Sequence, residues 1–226
     1  ALSVASGTRA LDAFDVHDKG PVLLFMAEDA AAVVKQRLVG ICAHRRLDLV
    51  DLPLHVITAP ALRLDRERDQ ARLRDAARQY APRLMLLDPF VRLHRIDEND
   101  AGEVSALLGY LRELQRELDL AVLVVHHARK NGSAMQPGQS LRGSSDLHAW
   151  GDSNLYVRRT KDALALTVEH RAARAPDSID FALVDDLHPH LAIAAVAKER
   201  HDDLDQRLLD TLRCAKAPLA RATLRD

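Results

Sequence analysis

Short apolar runs alternate along this chain with amphipathic stretches of helical length, and this alternation restricts the possible folds more than any other feature. Strands buried on both faces of a parallel sheet are apolar throughout, and helices connect them. The runs that predict such strands are 22–27, 54–58, 84–88 and 121–125, and the predicted helices are 30–46, 65–80 and 101–118. The sequence therefore predicts an α/β fold built on a mainly parallel sheet.

The later part of the chain has a different pattern. Its predicted strands are 154–158, 163–170 and 179–184. Short polar connections favour antiparallel pairing, so we expect these strands to be antiparallel additions to the sheet. Residues 204–215 have a helical pattern, and Pro218 begins another predicted helix. We therefore predict a core domain at 1–200 and a helical segment at 201–226.

The composition excludes several classes of protein. Thirty-three acidic and 32 basic side chains leave a formal net charge of −1, so any nucleic-acid contact must use a local patch. Aromatic residues make up 4% of the chain, which argues against a broad base-stacking platform. No run approaches the ~20 apolar residues of a membrane span, and the first residues have no signal-peptide pattern. We expect a cytoplasmic protein that has no membrane partner and whose two cysteines are reduced.

Polar side chains follow three of the apolar runs at the point where each predicted strand ends. Glu28 and Asp29 follow the first run, Asp88 ends another, and His126 and His127 follow the most β-branched run. Ligands of open α/β sheets bind beyond the carboxyl ends of the strands. We therefore expect these five side chains to converge on one site.

The carboxylates of this group suit nucleotide hydrolysis. An apolar strand that ends in Asp can hold Mg²⁺ against substrate phosphates, and Asp88 is the candidate ligand. Pro89 leaves no room for an adjacent glutamate, so Glu28, from another strand, is the candidate that orients the attacking water. The alternatives are structural: Asp88 is a turn-capping residue, and Glu28 and Asp29 are carboxylates favoured by a helix dipole.

The adjacent histidines allow two interpretations. One of them, His126 or His127, can sense a γ-phosphate through a hydrogen bond while the other is structural. Alternatively, both join Asp88 or His94 in a zinc site, because imidazole and carboxylate suit that metal. Consecutive residues at a strand end face opposite ways, which argues against a shared ion.

A long predicted loop at 128–140 precedes Arg142, Gly143, Ser144 and Ser145. A guanidinium at a subunit edge can act on a phosphate as an arginine finger, and the ordinary alternative is a surface arginine. The serines lie in no G-x-S-x-G motif, so we reject a serine hydrolase.

Together these segments resemble the RepA-like hexameric helicases of the RecA superfamily and related AAA-type ATP-binding proteins. The segments that carry the resemblance are Met26-Ala27-Glu28-Asp29, Leu86-Leu87-Asp88-Pro89-Phe90 with Arg92-Leu93-His94, Val125-His126-His127-Ala128-Arg129-Lys130, and Arg142-Gly143-Ser144-Ser145. The resemblance implies a RecA-like P-loop NTPase core that uses ATP and Mg²⁺. It also implies a homo-oligomer, such as a hexamer, that binds single-stranded DNA.

The same resemblance implies a role for each matching residue. Glu28 is the catalytic glutamate, Asp88 the Walker B aspartate that holds Mg²⁺, His126 or His127 the γ-phosphate sensor, and Arg142 the finger. The residues implied in nucleotide binding are Asp29 and Ser144, and those implied in DNA binding are Arg129 and Lys130.

The chain departs from that family at its beginning. It has no G-x-x-x-x-G-K-[ST] phosphate-binding loop, and residues 1–7 resemble the last turns of the helix that follows such a loop. We therefore expect the Walker A loop to lie upstream of residue 1 and this fragment to be impaired alone. From residue 204 onward the chain resembles the truncated start of a winged helix-turn-helix.

Two functions from different classes follow. The first is a Mg²⁺-dependent ATPase subunit of a RepA-like DNA helicase or DNA-associated motor. The alternative is a non-enzymatic regulator that senses nucleotide or mediates oligomerisation and carries a C-terminal DNA-binding module.

Overall fold

The computed structural model describes residues 1–58, 61–127, 145–159, 164–184 and 188–194. The helices are α1 (Leu2–Ser6), α2 (Ala31–His44), α3 (Glu67–Tyr80), α4 (Ala101–Leu118) and α5 (Ser145–Trp150), and single 3₁₀ turns span Leu49–Asp51 and Phe90–Arg92. The strands are β1 (Val22–Met26), β2 (Leu54–Ile57), β3 (Leu84–Asp88), β4 (Ala121–Val124), β5 (Ser153–Arg159), β6 (Leu164–His170), β7 (Ile179–Val184) and β8 (His190–Ile193). The predicted loop at 128–140 and the segment at 201–226, with its predicted winged helix-turn-helix start, lie outside the described residues.

Strands β1 to β4 form a parallel sheet in the order β2-β1-β3-β4. Val22 pairs with Leu54 on one side and Leu84 on the other, and Leu84 pairs with Ala121. All four strands therefore begin at one edge of the sheet and end at the opposite edge. This arrangement confirms the predicted parallel α/β fold.

Strand β1 is apolar on both faces because both faces are covered. Leu23 and Phe25 belong to the larger core cluster, whereas Val22 and Leu24 pack with Ala5 of α1. These four residues of β1 are at most 3% exposed. The predicted helical turn at 1–7 is found as α1, which ends at Gly7 in the left-handed conformation (φ 78°) that glycine adopts without strain.

Helix α4 supplies much of the larger core. The buried side chains that share one face of this helix are Val104, Leu107, Leu108, Leu111 and Leu114. The side chain of Asp100 caps its first turn by accepting hydrogen bonds from the backbone N–H groups of Gly102 and Glu103. The apolar stripe and the cap explain why this helix has the bounds that the sequence predicts.

The remaining strands form a second, antiparallel sheet in the order β5-β6-β7-β8. In the described part of the chain, no strand pair joins it to the parallel sheet, so the expectation that these strands extend that sheet is wrong. The reason lies before β5. Arg112 of α4 donates to the carbonyl of Trp150 and to Asp152 (2.7 Å), and the indole N–H of Trp150 donates to the carbonyl of Leu108 (3.0 Å). The residues directly before β5 are therefore attached to helix α4, not to an edge of the parallel sheet.

Strand β4 differs from its prediction in burial. Among the described strands it is the outermost on its side of the parallel sheet, and the side chain of Leu123 is 38% exposed. No helix among the described residues combines the length and apolar character that crossing a membrane requires.

Candidate functional site

At the carboxyl edge of the parallel sheet, backbone hydrogen bonds also form one residue beyond the ends of β1 and β4. The N–H of Ala27 donates to the carbonyl of Asp88 (2.8 Å), and the N–H of Val125 donates to the carbonyl of Leu87 (2.9 Å). These bonds fix the backbone immediately before Glu28 and before the two histidines. The predicted convergence at this edge is therefore present for Glu28, Asp88 and His127.

The carboxylate of Glu28 lies between two basic side chains. Its Oε1 lies 2.9 Å from Nε of Arg92, and its Oε2 lies 3.6 Å from Nε2 of His127. Each of the three side chains is between 42% and 60% exposed, so solvent and ligands can reach them. A carboxylate held in this way can accept a proton from a bound water molecule.

The pKa of Asp88 is raised by its position in the site. Burial raises the pKa of its carboxyl group, and the negative charges of Glu28 and Asp29 raise it further, while His127 and Arg37 act in the opposite direction. Negative charge is thus crowded where the sequence predicts a cation. A hard divalent cation such as Mg²⁺ fits this group, because it prefers carboxylate oxygens and offsets their repulsion.

Asp29 is turned toward helix α2. Its Oδ2 accepts a hydrogen bond from Nη1 of Arg37 at 2.5 Å. This ion pair anchors the carboxylate to the helix that follows β1. Its charge still reaches Asp88, as the raised pKa of Asp88 shows.

The two adjacent histidines diverge, as expected for consecutive residues. The ring of His126 is half-buried and meets the edge of Phe90, with the ring centroids 5.9 Å apart, whereas His127 points to Glu28. Of the two candidates for a phosphate sensor, His127 is therefore the one beside the candidate catalytic carboxylate.

His94 lies in the core rather than in the group of carboxylates. Its ring packs on Phe90 with the centroids 4.5 Å apart, and its Nε2 lies 3.5 Å from Oε1 of Glu98. Burial lowers the pKa of His94, with Glu98 acting against that shift. In the ranges that the structure describes, no three His, Cys, Asp or Glu side chains are grouped to hold a metal ion, so the zinc alternative has no support there. Mg²⁺ needs no such group, because one or two carboxylates and the substrate phosphates can hold it.

Arg92 is the site residue to which the sequence analysis assigned no role. The available signals were its position four residues after Asp88, in the turn that follows β3, and its place in one of the segments that carry the family resemblance. The other candidates, Arg129, Lys130, Arg142 and Ser144, lie outside the described residues.

A family model described as an AAA domain matches residues 1–133 of the chain. This match covers β1 to β4 and every residue of the site described above.

Two solved structures share the fold. A DnaB-like replicative helicase, described with its interactions with primase, is 16% identical with a TM-score of 0.57; the alignment covers 74% of this chain and 49% of that chain. The RadB recombinase is 17% identical with a TM-score of 0.56; the alignment covers 73% of this chain and 76% of that chain. The chain thus spans about half the length of the helicase. At these identities the similarity is one of fold alone.

Proposed function

The chain belongs to the AAA domain family, and from this membership we propose that it is the ATP-binding and ATP-hydrolysing subunit of a DNA-associated motor of the RepA-like helicase type. The observation that carries this proposal is the position of the Glu28 carboxylate, with His127 and Arg92 on its two oxygens and Asp88 beside it. Carboxylates on neighbouring parallel strands at the carboxyl edge suit phosphoryl transfer to water.

In the proposed reaction, Glu28 orients a water molecule against the γ-phosphorus of ATP. The water oxygen forms a bond to phosphorus as the bond to the bridging oxygen of ADP breaks, and Glu28 accepts the proton that the water loses. The products are ADP and inorganic phosphate. Asp88 would hold Mg²⁺, which supplies positive charge next to the phosphates when it is bound.

His127 is proposed as the group that reports the γ-phosphate. An imidazole 3.6 Å from the Glu28 carboxylate can exchange that neighbour for a phosphate oxygen. Loss of the γ-phosphate would then change the surroundings of Glu28 directly.

The remaining roles in this proposal rest on the family resemblance. Arg142 would act as a finger on the ATP of a neighbouring subunit, with Asp29 and Ser144 contributing to nucleotide binding. Arg129 and Lys130 would contact single-stranded DNA phosphates. An assembly of several copies, such as a hexamer, is part of this proposal, because the finger acts across a subunit boundary.

Steady-state ATP hydrolysis by the full-length protein tests the proposal. Glu28→Gln removes the proton acceptor while retaining the shape, so kcat is expected to fall by about 10²–10³-fold with ATP still bound. Asp88→Asn removes a metal ligand, so Mg²⁺-dependent ATP binding is expected to weaken as well.

Glu117→Gln is a matched control, because Glu117 also contacts two arginines, Arg74 and Arg78, but lies on α4. This variant is expected to hydrolyse ATP at the unmodified rate. Normal turnover in Glu28→Gln would remove the proposed role of Glu28, and an absence of turnover in the unmodified full-length protein would remove the enzymatic function itself.

A further inference from the structure

The backbone around Arg92 is held by the core although its guanidinium is exposed. Phe90 and Leu93 on either side of it are fully buried. The N–H of Phe90 donates to the carbonyl of Val125 (2.7 Å), and the carbonyl of Leu93 accepts from the N–H of Leu64 (2.6 Å). The turn that carries Arg92 is therefore anchored to the residue that follows β4 and to the chain before α3.

From this anchored position, the side chain of Arg92 contacts Glu28 beyond the end of β1. Its Nε lies 2.9 Å from Oε1 of Glu28, which is 64 residues away in sequence. The second carboxylate oxygen, Oε2, is left on the side of His127 at 3.6 Å. The Arg92 contact thus orients the carboxylate group so that its other oxygen faces the histidine.

The contact between Arg92 and Glu28 contributes little to the stability of the fold. Ion pairs between exposed side chains contribute about 0–1 kcal/mol to stability, and both side chains here are at least 42% exposed. Without the Arg92 contact, the flexible side chain of Glu28 would instead move among several rotamers. The crowding of Glu28 with Asp88 and Asp29, visible in the raised pKa of Asp88, would push it away from the site.

We propose that Arg92 is a positioning residue for Glu28: its Nε holds Oε1 and thereby keeps Oε2 directed toward His127 and the attacking water. This inference rests on the proposed function, since it concerns the orientation of the group that accepts the proton of that water. Arg92 touches neither the water nor the nucleotide in this role. Its loss therefore acts on turnover through Glu28.

Three single variants of the full-length protein test the inference through kcat and KM for ATP. In Arg92→Gln, kcat is expected to fall about 10–100-fold while KM changes by less than about threefold, because misplacing a reacting group by about 1 Å has effects of this size. Arg92→Lys keeps a positive donor and is expected to recover part of kcat. Arg83→Gln is the matched control: Arg83 also contacts two carboxylates, Asp18 and Asp119, but precedes β3 at the opposite edge of the sheet.

A double variant separates positioning from a general structural role. If Arg92 acts only through Glu28, then Glu28→Gln combined with Arg92→Gln is no slower than Glu28→Gln alone. An additive loss in the double variant, an unchanged or increased kcat in Arg92→Gln, or an effect on KM alone would each overturn the inference. Thermal unfolding of every variant, expected within about 3 °C of the unmodified protein, checks that each has folded.

The two proposals fail in different ways. If Glu28→Gln abolishes turnover and Arg92→Gln does not reduce it, the positioning role is wrong while the ATPase function stands. If the unmodified protein does not hydrolyse ATP, the ATPase function is wrong and the positioning role falls with it.

Discussion

At the scale of single residues, the carboxyl group of Asp88 ends a buried strand with Glu28 and Asp29 nearby. Burial first, and then the two neighbouring charges, raise the pKa of this group. An acid whose pKa is higher in the folded than in the unfolded protein binds more protons when folded. Its contribution to the free energy of unfolding is therefore most favourable at low pH and declines as the pH rises through the raised pKa.

Asp88→Asn is consequently expected to stabilise the protein at pH 7 by a few degrees in Tm, because the amide has no charge to desolvate. The difference in Tm should shrink as the pH is lowered toward the ordinary aspartate pKa of about 4, because the raised pKa of Asp88 favours the protonated carboxyl group in the folded protein. Thermal unfolding at the two pH values measures both effects, with Asp180→Asn on the exposed side of β7 as the control. A lower Tm for Asp88→Asn at pH 7 would contradict the proposed crowding of charge.

His94 has the opposite dependence on pH. Burial lowers its pKa, so the unfolded protein binds a proton more readily than the folded one. The stabilisation by neutral His94 is present above the ordinary histidine pKa of about 6.5 and is lost as the pH falls from there toward the folded value.

His94→Gln should therefore have a flatter profile of stability between pH 7 and pH 5 than the unmodified protein, whatever its absolute stability. Urea unfolding across this range gives the two slopes. His17→Gln, at an exposed position, is the control variant. Equal slopes in His94→Gln and the unmodified protein would show that His94 does not titrate with unfolding.

At the scale of elements, the sequence predicts most of the chain up to β4 because each element there has its own local pattern. Helix α4 matches its predicted bounds, since an aspartate cap and an apolar stripe of period 3.6 coincide. Strand β3 ends at Asp88 as predicted, where Pro89 can donate no hydrogen bond. Strand β8 was not predicted from the sequence, because it has only four residues, fewer than a clear alternating pattern needs.

The second sheet shows how unequally one face can be buried. Phe181 and Leu183 are both on β7 and point to the same face, yet Phe181 is 5% exposed and Leu183 is 63% exposed. Phe181 lies across from Leu164 on one side and Ile193 on the other. Among the described residues, Leu183 lies across from Leu191 on one side only.

This difference predicts unequal effects of truncation. Phe181→Ala is expected to reduce the free energy of unfolding by about 3–5 kcal/mol, whereas Leu183→Ala is expected to reduce it by about 1 kcal/mol or less. Chemical denaturation of the two variants gives the comparison, and each variant is the control for the other. Comparable losses would mean that Leu183 is covered in the folded protein.

At the scale of the whole molecule, the site consists of side chains from three strand ends that the order β2-β1-β3-β4 places side by side. The sequence alone determined the α/β class, the strands that carry Glu28, Asp88 and the histidines, and the edge of the sheet at which they meet. Each of these follows from local periodicity and from the rule that parallel strands end on the same side.

Only the tertiary structure decided which of these side chains meet. In the structure Glu28 contacts Arg92, and His127 rather than His126 is the neighbour of Glu28. The antiparallel strands form a separate sheet. Local pattern gives the direction of a side chain relative to its own strand or helix. Contacts between residues as far apart as Glu28 and Arg92 depend instead on strand order, register and the anchoring of the turns between elements, which are properties of the packed chain.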